Sequence, residues 1–394
     1  MKITQELLDF IHDNLDTDTT SLIFNSRKYP QLDMNFVVEQ ILSRRHLKYK
    51  LPEWYANREI IIPSRISSEQ CSSELTAIYK QRLIKGDSLC DLTGGMGVDS
   101  YYFAKKTKKS IYIERFDNYC ECALHNFKVL GIDNISVINA NSLDILDDLE
   151  VVDTIYIDPA RRSDTNKRLF ALKDCEPNIL DIKDKLFQKC KRIIVKVSPM
   201  ADISETIKLL EEISEVHVVS VNNECKELLF VLDKDFSIKY DLPVYCVNFK
   251  NGKEEIFKYI YNEENTIENV YCDNIEGYLY EPNSSILKAG AFKTIGKTFL
   301  LKKIQKNTHL YVYDKFVENF PGRVFRIEET IDFASSILKR IASVVPKANI
   351  TTRNFTMSVD EIRKKTKIKE GGDVYIFAVI DKNNNKVLVK CCKL

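Results

Sequence analysis

The sequence predicts an α/β protein whose central domain is an open, mostly parallel sheet wrapped by helices. Two observations carry this. From Lys85 onward, short β-branched runs alternate with helical segments. Each of the first five runs is followed by 15 or more residues, enough for a right-handed crossover between parallel strands. The last two runs are separated only by residues 222–227, a hairpin-sized gap, so those two strands run antiparallel.

The elements follow in order. Residues 1–66 carry apolar clusters at helical spacing, Leu7, Leu8, Phe10 and Ile11, then Phe36, Val37, Val38, Ile41 and Leu42. The stretch Leu51-Pro52-Glu53-Trp54 is expected to end that helical region, with Pro63 opening a linker. A helix is expected after Ser68 as its cap, with Leu75, Ile78, Tyr79 and Leu83 on one face. Strands are predicted at 88–92, 111–114, 135–138, 154–158, 193–197, 216–221 and 228–232. Beyond Asp233, Asn251-Gly252 marks a hairpin between 244–249 and 254–259. Ser358-Val359-Asp360-Glu361 is a capping box opening a basic helix expected to stop at Gly371-Gly372. Strands at 374–380 and 386–390 close the chain around residues 381–385.

Composition narrows the class. The chain has 394 residues, 44% hydrophobic and 29% charged, so it supports several cores and global disorder is excluded. Its 11 cysteines are odd in number and scattered, no CxxC pair exists and the five histidines do not cluster near them, so no metal site is expected. They read as free thiols in a reducing cytoplasm. The acidic start lacks a signal-peptide apolar core, and no run of about 18 apolar residues occurs, so no membrane partner is expected. A net charge of +1 gives no overall field to attract a polyanion, although 322–394 holds 15 Lys+Arg against 8 Asp+Glu.

The most informative stretch is Asp91-Leu92-Thr93-Gly94-Gly95-Met96-Gly97, which follows a strand and opens a helix. Glycines there let backbone N–H groups approach a ligand at the sheet's carboxyl edge. A phosphate loop needs Gly-Lys-Ser/Thr, and Val98 follows Gly97. A dinucleotide fingerprint needs glycine or alanine at position 100, which is Ser100. Asp91 ends strand one, where it faces a ligand carrying positive charge. Glu114 ends strand two, 17 residues past Gly97, where a carboxylate accepts ribose hydroxyls. Asn141-Ser142 follows strand three, and Asp158-Pro159-Ala160-Arg161-Arg162 follows strand four.

These residues resemble the class I S-adenosylmethionine (SAM) dependent methyltransferase fold, a Rossmann-like seven-stranded sheet of five parallel strands plus an antiparallel hairpin. The wider pattern resembles a bacterial family of such methyltransferases with a THUMP-like C-terminal domain. The matching stretches are Glu69-Gln70-Cys71-Ser72-Ser73-Glu74, Asp158 to Arg162, Lys196-Val197-Ser198-Pro199-Met200, Tyr280-Glu281-Pro282-Asn283, Leu287-Lys288-Ala289-Gly290 and Asn349 to Phe355. The resemblance implies an N-terminal helical domain (1–66), a methyltransferase domain (67–235), a ferredoxin-like α+β domain (236–321) and a THUMP-like domain (322–394).

It implies SAM as cofactor, with Asp91, Thr93, Gly94, Gly95 and Gly97 around its methionine part. Glu114 would hold the ribose and Asn141 with Ser142 the adenine. Asp158 and Pro159 would shape the methyl-acceptor site, as in turns that methylate exocyclic amines. Arg161 stands where such turns carry an aromatic, and a guanidinium can stack on a base or clamp phosphate. Arg161, Arg162, Lys196 and Ser198 are expected on the substrate side. THUMP domains dock structured RNA, so the basic run with Arg363, Lys364, Lys365 and Lys367 implies tRNA or rRNA as partner. An RNA-binding module with a relic SAM fold, or a methyltransferase for a protein or small molecule, fits the same residues.

Overall fold

The computed structural model describes residues 4–161, 172–236, 241–338 and 340–394. The chain divides into two compact units, residues 1–214 with 228–238, and residues 215–227 with 239–394.

The first unit opens with helices α1 (Gln5–Asp13), α2 (Thr19–Phe24), α3 (Met34–Lys50) and α4 (Pro52–Ala56). Leu51-Pro52-Glu53-Trp54 therefore starts a helix instead of ending the region. Proline is tolerated in a first turn, whose N–H groups have no intrahelical partner. The single helix expected after Ser68 is two, α5 (Arg65–Gln70) and α6 (Glu74–Gln81). Ser64 and Ser73 supply the caps, and Ser68 is buried within α5. Several serines competed for one role, and each cap went to the serine whose hydroxyl met an N3 amide.

Strands β1 (Ser88–Asp91), β2 (Lys109–Glu114), β3 (Ile135–Asn139), β4 (Thr154–Ile157) and β5 (Arg192–Val197) are all parallel, in the order β3-β2-β1-β4-β5. Helices α7 (Val98–Ala104), α8 (Asp117–Val129), α9 (Ile179–Lys189) and α10 (Ile203–Leu210) lie in the crossovers. Strand β6 (Ile213–Val221) leads through Asn222 and Asn223, both at positive φ, into β7 (Glu224–Asp233). From Leu228 to Asp233, β7 runs antiparallel to β5. The strands β1, β4 and β5 are almost wholly buried, as strands covered on both faces must be. One core joins Leu47, Leu51, Trp54 and Ile62 of the N-terminal segment to Tyr101, Tyr112, Ala123 and Phe127 beside the sheet. That segment therefore completes one face of the sheet.

In the second unit, β6 is parallel to β8 (Pro243–Lys250), which forms a hairpin with β9 (Lys253–Ile260). A separate seven-stranded sheet follows, built from β10 (Tyr278–Pro282), β11 (Lys302–Gln305), β12 (Thr308–Tyr313), β13 (Gly322–Asp332), β14 (Asn349–Arg353), β15 (Val374–Ile380) and β16 (Lys386–Lys393). Its order is β11-β12-β10-β13-β16-β15-β14. The 11-residue β13 pairs with β10 near its start and with β16 further on, so the 278–321 and 322–394 stretches share one sheet. Helices α11 (Ser284–Ala289), α12 (Thr294–Thr298) and α13 (Val359–Thr366) belong to this unit. The Ser358 capping box forms as expected. The basic helix ends at Thr366, short of Gly371, because Lys367 caps it in the left-handed region at φ 63°.

Candidate functional site

At the carboxyl ends of β1, β2, β3 and β4 lies a cavity of about 300 Å³. Thr93, Gly94, Gly95, Met96 and Gly97 form its floor between β1 and α7. Gly97 sits at φ 86° and Gly95 at φ 53°, conformations that carry no Cβ penalty only for glycine. Gly94 is needed for space: a Cβ there would lie 2.2 Å from Tyr112 Cε2.

Asp91 is 1% exposed. Its Oδ1 accepts from the Thr93 amide at 3.0 Å and its Oδ2 from the Ser100 hydroxyl at 2.5 Å. Burial pushes its carboxyl up to about 7 even though both bonds favour the ionised form. Glu114 Oε2 accepts from the Gly95 amide at 2.9 Å, and Oε1 from the Phe116 amide at 3.0 Å. One carboxylate thus ties the end of β2 to the glycine loop. Asn141 closes an Asx turn on the Leu143 amide at 3.2 Å, presenting Asn141, buried Ser142 and Leu143 to the cavity.

The turn after β4 is joined to the same loop. The Asp158 amide donates to Thr93 Oγ1 at 2.7 Å, and Lys196 of β5 donates to Asp158 Oδ2 at 2.6 Å. Asp158, Ala160 and Lys196 line the cavity. The backbone of Ala160-Arg161 pairs antiparallel with Cys175-Glu176.

Asp91, Thr93, Gly94, Gly95, Gly97, Glu114, Asn141, Ser142, Asp158 and Lys196 are thus brought together. Pro159 and Ser198 are not among the lining residues, and Ser198 instead accepts from the Met200 amide at 3.2 Å. Arg162 lies outside the described residues. Arg363, Lys364, Lys365 and Lys367 lie in the second unit. Arg363 is committed there, donating to the Ile368 and Ala348 carbonyls at 3.2 and 3.1 Å.

Sequence reasoning missed two groups. Phe116 and Leu143 line the cavity while 51% and 40% exposed, offering apolar surface to a ligand. Their signal was an apolar residue just past a polar strand end. The second group is Ser72, Lys80, Asp99 and Tyr156. The Lys80 ammonium stands 3.2 Å from Asp99 Oδ1 and donates to Ser72 Oγ at 2.8 Å. Ser72 and Tyr156 both donate to Asp99 Oδ2, at 2.8 and 3.0 Å. Burial works to raise the Asp99 carboxyl, but Lys80, Lys196 and these two hydroxyls outweigh it and hold it below the usual range.

The sheet order, its antiparallel last strand and a glycine loop linked to acidic strand ends define the class I methyltransferase fold. A solved structure from Porphyromonas gingivalis W83, described as a "putative methyltransferase", is 33% identical over 100% of both chains, with a TM-score of 0.91. This chain belongs to that family, class I methyltransferase folds with a THUMP-like C-terminal domain. A ferredoxin-like domain model matches residues 278–321 and a THUMP domain-like model residues 322–393. M. capricolum TrmK with S-adenosyl-homocysteine shows 16% identity, a TM-score of 0.33 and coverage of 43% of this chain and 70% of that one. An rRNA methylase from Streptococcus thermophilus shows 13% identity, a TM-score of 0.31 and coverage of 41% and 95%. No curated protein sequence matches the chain. Among the described residues, no helix is long and apolar enough to cross a membrane, and no group of three or more His, Cys, Asp or Glu could hold a metal.

Proposed function

We propose that the protein is a SAM-dependent methyltransferase that modifies a base in structured RNA, either tRNA or rRNA. The observation that carries this is the convergence of the glycine loop, Asp91, Glu114, Asn141-Ser142 and Asp158 on one cavity. The lining suits a cationic cofactor. It holds Asp91, Asp99, Glu114, Asp158 and Glu176 against Arg115 and Lys196.

Bound SAM would supply a methyl group already activated by its sulfonium, so this chain's work is binding and alignment. Glu114, fixed by the Gly95 and Phe116 amides, holds the ribose hydroxyls. Phe116 and Leu143 cover the adenine faces, and Asn141 with Ser142 meets its polar edge. Asp91 and the backbone of Thr93, Gly94, Gly95 and Gly97 take the methionine part. Among the described residues Asp158 Oδ1 accepts no hydrogen bond, whereas Oδ2 is held by Lys196. Asp158 Oδ1 can therefore accept from the N–H of an acceptor amine and aim its lone pair at the methyl. In this reading Pro159 is assigned to the turn, and Arg161, Arg162, Lys196 and Ser198 are assigned to substrate contacts.

RNA as substrate rests on the THUMP-like match at 322–393 and on the excess of 15 Lys+Arg over 8 Asp+Glu in 322–394. Lys364, Lys365 and Lys367 are its expected phosphate contacts. The domain division 1–66, 67–235, 236–321 and 322–394 and a cytoplasmic location complete the reading. Mass spectrometry of modified nucleosides, in RNA from cells with and without the protein, tests it. Loss of one methylated nucleoside is expected, and identical profiles would overturn the RNA assignment.

A further inference from the structure

We propose that a second cavity, within the ferredoxin-like region, binds a phosphate-bearing ligand of nucleotide size. The cavity measures about 500 Å³ and is lined wholly by residues between 266 and 311. That volume lies within the range of small-ligand sites. It is separate from the glycine-loop cavity in sequence and in composition, and its argument does not depend on the methyltransferase reading.

Its charge is one-sided. Four of its 13 lining residues are lysines, Lys293, Lys297, Lys302 and Lys303, against one acid, Glu268. None of the four forms an ion pair among the described residues. The nearby carboxylate of Glu264 is engaged elsewhere. It accepts from the Lys293 and Thr294 amides at 2.7 and 2.9 Å and from the Thr294 hydroxyl at 2.6 Å.

Lys303 is the informative member. It is 3% exposed, and its ammonium meets the Lys306 carbonyl at 2.8 Å and the face of the Phe292 ring at 5.4 Å, with the Glu264 carboxylate near enough to favour its charged form. A buried ammonium is costly, and burial, with Lys293 adding to it, outweighs the pull of Glu264 and pushes its pKa down to about 8. A phosphate bound among these lysines would add the negative charge that Glu264 alone does not supply. Five lining residues are apolar, Ile267, Leu301 and Tyr311 beside Val270 and Leu300, the last two 61% and 72% exposed, and Thr266 and Asn269 add neutral polar groups. Apolar walls beside clustered ammoniums fit a flat organic body carrying a phosphate better than a bare inorganic anion.

The test is isothermal titration of the full chain with uridine monophosphate, whose pyrimidine differs from the adenine proposed for the first cavity. We expect one saturable site. It should weaken at least tenfold in Lys293→Gln/Lys297→Gln, where Lys293 is half-buried and Lys297 exposed, and be unchanged in Glu114→Ala. Bound phosphate favours the charged form of Lys303, so affinity should fall as pH rises from 7 to 9. Lys303→Met should abolish that pH dependence. No saturable binding, or equal binding by the lysine-pair variant, would overturn the proposal. Competition separates the sources of the phosphate, each consistent with the proposal. Displacement by a 5′-phosphorylated oligouridylate, and not by its unphosphorylated form, assigns an RNA end. Displacement by neither assigns a free nucleotide.

Discussion

Lys80 has no exposed surface, and its ammonium lies 3.2 Å from Asp99 Oδ1 at the edge of the glycine-loop cavity. The pair joins α6 to α7, and Ser72 bridges the two groups. Asp99 also lines the cavity, so a structural ion pair supports the ligand site directly.

Lys80→Met should therefore take from a buried carboxylate its ion-pair partner, leaving only the Lys196 charge acting on it, at a cost of about 3–5 kcal/mol. Urea denaturation measures it. Asp99→Asn on the same background should recover part of the loss, because the stranded charge is then gone. A cost below about 1 kcal/mol would show that Tyr156, Ser72 and the Lys196 charge satisfy Asp99 without Lys80.

The site was legible in the sequence where it follows strand ends. Asp91, Glu114, Asn141 and Asp158 were found because short β-branched runs locate strands, and open α/β sheets bind ligands at the carboxyl ends of those strands. Lys80 was not legible, since a lysine at helical spacing reads as solvated until Asp99, 19 residues on, is placed against it. The division of α5 from α6 was hidden by several serines able to cap. The shared sheet of the second unit was hidden too: β13 is long enough for two partners, and local patterning does not say which strands it joins.

Asp91 makes cofactor binding depend on pH. Its carboxyl is pushed up to about 7 by burial, so the free protein carries it half-protonated near neutrality. A cationic ligand favours the ionised form, so its binding pulls the pKa down. SAM affinity should then rise with pH, by up to about tenfold per unit below pH 7, and level off above it. Asp91→Asn should flatten the profile. A profile unchanged by that substitution would mean another group titrates.

Two glycine substitutions separate space from conformation. Gly94→Ala puts a Cβ 2.2 Å from the ring of fully buried Tyr112, whose hydroxyl is held by the Gly95 carbonyl at 2.6 Å. Overpacking there should cost about 1–3 kcal/mol and weaken SAM binding, because the ring has nowhere to move. Gly131→Ala is the control. It meets nothing within 4 Å but sits at φ 74°, so it should cost about 1–2 kcal/mol and leave binding intact. Thermal melts and calorimetry on both variants decide the matter.

The sharpest test separates holding the cofactor from using it. Glu114 makes two charge-assisted bonds that order the loop and would also take the ribose hydroxyls. Glu114→Ala should weaken SAM binding by about 10- to 100-fold, in keeping with about 1.5–3 kcal/mol for bonds to a charged group. Asp158 touches the loop through its backbone amide, which donates to Thr93 Oγ1 whatever the side chain is. Asp158→Ala should therefore keep SAM affinity within about threefold, while methyl transfer falls by about 100-fold or more as the acceptor loses alignment. It also releases Lys196, so Asp158→Asn is the companion variant, keeping an acceptor oxygen while removing the charge. If the alanine variant lost binding and transfer in parallel, Asp158 would be a cofactor-binding residue. If it lost neither, the acceptor would be positioned by other groups, with Lys196 the first to examine.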